Sequence, residues 1–309
     1  MKLSIVSTLY HSAAYIDEFH RRATAAACEW AGDSYEIVLV NDGSPDSSLE
    51  QAVAWSRKDP RVVVVDLSRN FGHHKAIMTG LAHSLGDWVF LVDSDLEEEP
   101  EWLRDFAAHL QKQGGDVVYG VQRTRKGGWF ERWSGGLFYR LMAAISGVEM
   151  HPNMVTARLM TRRYVDALLR HEEREVDIGG LWSATGFAQS AFTVNKHNTS
   201  ATTYTLSRRV AVLVNSITSF SNWPLVAIFY IGVAIFLASA TVTAAVIVQW
   251  TLLDKPVSGW TSLIVSVWLL GAMIISFLGV IGIYLAKMFS EVKGRPYTIV
   301  REVYGRQSR

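Results

Sequence analysis

The sequence WVFLVDSDLEEEP, Trp88 to Pro100, joins an uninterrupted apolar run to a cluster of acids. Five apolar residues in a row, Trp88 to Val92, fit a strand buried on both faces of a parallel sheet. The run stops at Asp93-Ser94-Asp95. Carboxylates at the end of a buried strand are costly unless a cation or hydrogen-bond donors meet them. In an open α/β sheet, ligands bind outside the carboxyl ends of the strands. Hard oxygen ligands of this kind suit Mg²⁺ or Mn²⁺, and Mg²⁺ usually keeps several waters and takes other ligands from substrate phosphates. Asp93 and Asp95 are therefore candidate metal ligands beside a diphosphate. Alone, the triplet is weak evidence, and an acidic turn at the start of a helix near Pro100 explains it better.

Working outward, strand and helix patterns alternate. Leu3–Leu9, Tyr35–Val40 and Val62–Leu67 read as strands, and Ala13–Trp30, Ser48–Arg57 and Ala76–Ser84 as helices. Such alternation predicts an α/β fold with a mostly parallel sheet covered by helices on both faces. The second strand ends at Asn41-Asp42-Gly43-Ser44, so Asp42 and the Asp93/Asp95 pair are expected on one edge of that sheet. The third strand runs into Ser68-Arg69-Asn70-Phe71-Gly72-His73-His74.

The chain has 309 residues, with 30 Lys+Arg against 29 Asp+Glu, so composition gives no argument for nucleic acid. Its one cysteine, Cys28, excludes an intramolecular disulfide and a cysteine-based zinc site. The N-terminal KLSIVSTLY reads as a strand, not as a cleavable leader. Hydrophobicity is concentrated late. No Asp, Glu, Lys or Arg occurs from Val210 to Trp250, nor from Pro256 to Ala286. Each stretch is long enough for a membrane-spanning helix, and soluble helices of that length carry a charged face. Arg208 and Arg209 precede the first; Lys287, Lys293, Arg295, Arg301, Arg306 and Arg309 follow the second. The positive-inside rule then places both ends in the cytoplasm. Ser207–Phe220 reads as an amphipathic helix at the membrane interface, with Arg208 and Arg209 reaching toward headgroups. The expected organisation is a catalytic domain over 1–205, an interfacial helix over 206–222, two transmembrane helices within 223–289 and a basic tail over 290–309.

The segments VSTLYHSAAYI, VNDGSPDSS, LSRNFGHHKAIMTGL and VDSDLEEEPEW, in that order, resemble the signatures of family-2 glycosyltransferases with a GT-A fold. VVYGVQRTRKGG, FYRLMAAISG, ARLMTRR, GFAQ and NSITSFSNWPL extend the likeness over almost the whole chain. With two C-terminal spans, the chain is most similar to the polyprenyl-phosphate glycosyltransferases, such as dolichol-phosphate mannose synthases and bactoprenol glucosyltransferases. The resemblance implies roles residue by residue. Thr8 and Tyr10 stand where the first strand meets the nucleobase. Asp42 matches a nucleoside-binding carboxylate, and Arg69 and His73 lie on a loop beside the donor. Asp93 matches the acid near ribose and metal, Asp95 the metal ligand proper, and Glu97 a further ligand position. In the basic stretch GVQRTRKGGWFER, Arg123 and Arg132 are the expected contacts to an acceptor phosphate, whose oxygens a guanidinium fork fits.

Relatives commonly carry an acid in the sequence Asp-Phe-Arg-Leu, proposed to act in catalysis. Here Thr156 replaces the acid and Arg158 is kept. A threonine is no general base at neutral pH; an ionised phosphate acceptor needs none. Likewise, Ser12 replaces a common Glu, and Thr203-Tyr204 a common Lys-Tyr pair. The reading is an inverting enzyme that moves a hexose from a nucleotide diphosphate sugar to undecaprenyl phosphate on the cytoplasmic face of a bacterial inner membrane, for cell-envelope glycan modification. Transfer to a sugar hydroxyl of a lipid-linked glycan is an alternative. A non-catalytic scaffold that binds nucleotide sugar is another. The family also forms oligomers, so a homo-oligomer, a tetramer included, is expected. Tyr297–Tyr304, with its strand-like alternation, is expected to pair with another subunit.

Overall fold

A computed structural model of the chain describes residues 2–122, 153–173, 178–196, 218, 223–253 and 259–305. The chain divides into two compact units. One comprises residues 1–205 and 295–309, the other residues 206–294.

The first unit begins β1 (Leu3–Leu9), α1 (Ile16–Ala31), β2 (Tyr35–Asn41), α2 (Ser48–Lys58), β3 (Val62–Leu67), α3 (His73–His83), β4 (Trp88–Leu91) and α4 (Trp102–Gln113). These elements follow the expected ones, with ends displaced by no more than a helical turn. It continues with β5 (Val117–Gln122), β6 (Met154–Thr161), α5 (Arg162–Leu168), α6 (Ile178–Ala184) and β7 (Gln189–Val194). The strands of the unit, together with β8 (Val300–Tyr304), form one sheet in the order β7-β5-β6-β4-β1-β2-β3-β8. The pairs β1–β2, β1–β4, β2–β3 and β5–β7 are parallel, while β6 runs antiparallel to β4 and β5.

Strand alternation splits the core into two layers. Ile5, Ile37, Val64 and Phe90 face α1 and α4, whereas Val6, Val38, Val65, Val89 and Leu91 face α3 and α5. Every residue of β1, β2 and β3 is buried, as strands covered on both faces must be. Phe90 is fully buried and meets Phe106 edge-on at 6.1 Å. Truncating it to alanine would cost about 3–5 kcal/mol.

The second unit holds α7 (Trp223–Leu253) and α8 (Trp260–Val292). Trp223–Val242 and Ser266–Val292 are long and apolar enough to cross a membrane. Large apolar side chains such as Phe236 and Trp268 are exposed along them, a surface that calls for an apolar solvent.

After α8 the chain returns to the first unit. Val300–Tyr304 forms β8, antiparallel to β3. The segment expected to pair with another subunit thus pairs within its own chain. The basic tail is, over these residues, the edge strand of the catalytic sheet.

Candidate active site

The carboxyl ends of β1, β2 and β4 meet at one edge of the sheet, and the candidate donor-site residues gather there. Asp42 directly follows β2. It is 2% exposed, and its two oxygens accept the backbone N–H groups of Phe71 (2.7 Å) and Gly72 (3.0 Å). Burial raises its pKa, and these two donors oppose the rise. The loop can reach Asp42 because Gly43 lies at φ +60°, where a Cβ would collide with the backbone of Arg69 and Asn70. Gly72, at φ +100°, then turns the chain into α3.

His73 opens α3. Its Nδ1 lies 3.1 Å from Thr8 Oγ1, and its Nε2 lies 3.6 Å from Asp93 Oδ1. When the Thr8 hydroxyl donates to Nδ1, Nε2 carries the proton toward Asp93. Desolvation by the pocket lowers the His73 pKa, and Asp93 partly opposes that shift. Thr8, His73 and Asp93 therefore form one chain of contacts across three strand ends.

Between the two acids, Ser94 is buried. Its hydroxyl donates to the Thr8 carbonyl (2.8 Å) and sits 3.0 Å from the Ser12 hydroxyl, pinning the acidic loop to the end of β1. Asp95 Oδ1 accepts the Glu97 N–H at 3.0 Å. Burial raises the Asp95 pKa; the Glu97 amide opposes this and the Asp93 charge adds to it. The intervening Leu96 takes a left-handed conformation, φ 59°, an unfavourable choice for a leucine that bends the loop back.

Glu97 and Glu98 are both buried and share one cation. Lys196, just beyond β7, lies 3.5 Å from Glu97 Oε2 and 3.4 Å from Glu98 Oε1. Glu98 Oε1 also accepts the Thr156 N–H (3.0 Å), and its Oε2 has no hydrogen-bond partner among the described residues. Burial, with the Asp93 charge nearby, pushes the Glu98 pKa up to about 7.

A divalent cation fits this edge as an open site. Among the described residues, no three His, Cys, Asp or Glu side chains converge as a ready cage. Asp93 and Asp95 offer hard oxygens at an edge with more carboxylates than cations, the ligand set that leaves room for phosphate oxygens and water. Glu97, whose Oε2 faces Lys196, could serve as a third ligand only in competition with that cation's charge.

Not all expected residues gather here. Tyr10 is 51% exposed, edge-on to His11. Arg69 is exposed on the loop, its guanidinium over the Phe71 ring. Arg158, which the resemblance set among the catalytic residues, is fully buried. It stands level with Leu91 on β4, two residues short of Asp93, and its guanidinium lies over Trp182. Its Nε donates to the Thr156 carbonyl at 3.2 Å. Burial pushes its pKa down to about 9. It braces β6 from inside the core. Arg123 and Arg132 lie outside the described residues, as does nearly all of the expected interfacial helix.

Residues 4–169 match the profile of glycosyl transferase family 2. The chain belongs to this family. It is 50% identical over 305 residues to a Mycobacterium tuberculosis protein described as a glycosyltransferase, covering 99% of this chain and 89% of that one. An uncharacterised Bacillus subtilis glycosyltransferase, YkcC, is 32% identical over 99% of this chain and 95% of its own length. The undecaprenyl-phosphate 4-deoxy-4-formamido-L-arabinose transferase of Enterobacter is 30% identical over 99% of this chain and 95% of that one.

Within this family 2 glycosyltransferase, two residues of the acidic edge escaped sequence reasoning. Glu98 was hidden in a run of three glutamates. Only its burial distinguishes it from exposed Glu101. Lys196 lies about 100 residues from the acids in sequence, and nothing local ties it to them.

Proposed function

We propose that this protein transfers a hexose from a nucleotide diphosphate sugar to a polyprenyl phosphate at the cytoplasmic face of a bacterial inner membrane. The observation that carries this reading is a set of undersaturated carboxylates at the strand ends of a family 2 chain that also holds two membrane-length apolar helices. The lipid-phosphate transferase named in Enterobacter, 30% identical along nearly the whole chain, supports the acceptor class.

Asp42, oriented by Phe71 and Gly72, has lone pairs left for nucleoside N–H or O–H groups. Asp93 and Asp95 hold the diphosphate end. A divalent cation bound by Asp93 and Asp95, Mg²⁺ or Mn²⁺, would offset the charge building on the leaving diphosphate. His73, kept neutral and held by Thr8, would orient the Asp93 carboxylate. Arg123 and Arg132 are assigned to the acceptor phosphate, for which a guanidinium is the better donor. The phosphate, largely ionised at neutral pH with a second pKa near ~6, attacks the anomeric carbon. Inversion follows from a single displacement, and alignment supplies much of the rate. Glu98, the carboxylate at the Thr156 amide, is fully buried and not placed to take an acceptor proton, in keeping with an acceptor that needs no base.

The topology has independent support. The chain leaves the first unit before α7 and rejoins the same unit through β8, so an even number of crossings is required. Two crossings with both flanks on the basic, cytoplasmic side meet that requirement.

The test is incubation of the purified full-length protein with undecaprenyl phosphate and a panel of nucleotide sugars, followed by mass spectrometry of the lipid. One sugar-phosphate lipid is expected, and Thr156→Ala should change its rate by less than about threefold. Glycosylation of a hydroxyl acceptor alone would overturn the reading.

A further inference from the structure

The strand that follows the second apolar helix touches the donor loop at several points. Ser68 donates its N–H to the Ile299 carbonyl at 2.9 Å, and Thr298 meets Thr79 of α3, hydroxyl to hydroxyl, at 2.8 Å. The β3–β8 ladder shifts register between Asp66 and Leu67, which pair with Glu302 and Val300. Arg301 is the extra residue of that bulge. Bulges re-aim side chains, and this one sends the Arg301 guanidinium back across β3. Its Nη2 donates to the Ser68 carbonyl at 2.7 Å, and its Nη1 lies 3.3 Å from Asp66 Oδ2.

Asp66 makes this contact consequential. It is 1% exposed, and its Oδ1 accepts from Asn41 Nδ2 at 2.8 Å. Its Oδ2 has no hydrogen-bond partner among the described residues, and the Arg301 guanidinium is the cation that faces it. Asn41 in turn accepts the Ser44 N–H at 3.2 Å and so shapes the turn that carries Asp42 and Gly43. One guanidinium thus reaches both walls of the Asp42 cradle. Through Asp66 and Asn41 it braces the 41–44 turn. Through Ser68 it braces the loop whose Phe71 and Gly72 amides hold the Asp42 carboxylate.

We propose that Arg301 is a positioning residue for the nucleotide subsite, so that the chain beyond the membrane helices completes the donor-binding site. The proposal rests on the reading of Asp42 as a nucleoside contact. Removing Arg301 leaves a buried carboxylate oxygen unmatched and loosens both walls, without touching the acids that hold the diphosphate. The signature is a weakened donor at nearly unchanged turnover.

The experiment uses the full-length protein in lipid nanodiscs. Binding of UDP and GDP with Mn²⁺ is measured by calorimetry, and hydrogen exchange is followed over residues 68–75. Arg301→Ala should weaken the nucleotide that wild type binds by about tenfold, the size of one charge-assisted hydrogen bond. It should also speed exchange at Phe71 and Gly72, and leave kcat at saturating donor within about twofold. Arg301→Lys, which keeps the charge but loses the fork, should fall between. Glu302→Ala, one residue along the strand, should bind as wild type. Wild-type affinity in a folded Arg301→Ala protein overturns the proposal. Wild-type affinity in Arg301→Lys overturns it as well if the alanine variant fails to fold. Wild type that binds neither nucleotide instead removes the donor reading, and this inference with it.

Discussion

The two edges of the catalytic sheet treat their acids in opposite ways. At the amino edge, Glu36 accepts from the Ser4 hydroxyl and the Leu85 amide, both at 2.6 Å, with Lys2 at 3.4 Å. Asp116, just before β5, is gripped by Thr161 and by both arms of Arg163. At the carboxyl edge, Asp93 has His73 at 3.6 Å, Asp95 has one amide, and Glu98 keeps a buried oxygen unmatched. The two acids of the amino edge are saturated, while these three beyond β4 keep oxygen lone pairs for the ligand proposed there. Unsatisfied buried polar groups are expensive, and the Glu98 oxygen is one such group at the edge where a cation and a diphosphate are proposed to bind.

The largest effect that sharpens this contrast is at Asp95. Asp95→Ala should lower turnover roughly 100-fold or more, the several kcal/mol that a charge-offsetting cation supplies. Expression and membrane insertion should be intact, and EDTA should do the same to wild type. Full activity in either case would show that the undersaturated edge needs no metal.

Asp42→Asn should act next most strongly. An amide can present at most one acceptor oxygen to the two N–H groups of Phe71 and Gly72, so the loop loosens. A rise of about tenfold in donor KM is expected, within the 1–3 kcal/mol that an unmatched donor costs. Steady-state kinetics with the donor varied at fixed acceptor would measure it. An unchanged KM would remove Asp42 from the nucleotide subsite.

At the opposite edge, Glu36→Gln should be smallest in function. Its cost should appear as lost stability, about 1–3 kcal/mol, read as a lower apparent melting temperature at unchanged kcat/KM. A catalytic defect there would break the comparison between the edges.

Much of this contrast was legible in the sequence. Asp42, Asp93 and Asp95 each follow an apolar run, and a strand end is a local event that spacing reveals. Ser68–His74 was legible as a loop because Gly72 and a following helix pattern frame it. The rest depends on pairings between distant segments. Arg158 stood among the catalytic residues by motif, yet the register of β6 against β4 sets it inside the core, and register is not written in one strand alone. Lys196 and Arg301 enter the site region from β7 and β8, far along the chain. The alternation of Tyr297–Tyr304 correctly marked a strand, but alternation does not name the partner strand. That partner is β3, so residues beyond the apolar hairpin belong to the catalytic sheet.

The most direct test of the contrast is Mn²⁺ binding in the presence of UDP or GDP, with free Mn²⁺ read by electron paramagnetic resonance. Wild type, Asp95→Asn and Glu36→Gln are compared as folded, full-length proteins. Wild type and Glu36→Gln should each take up one Mn²⁺ per chain in a nucleotide-dependent way, and Asp95→Asn should take up none over the same range. Equal uptake by Asp95→Asn and wild type would contradict the account.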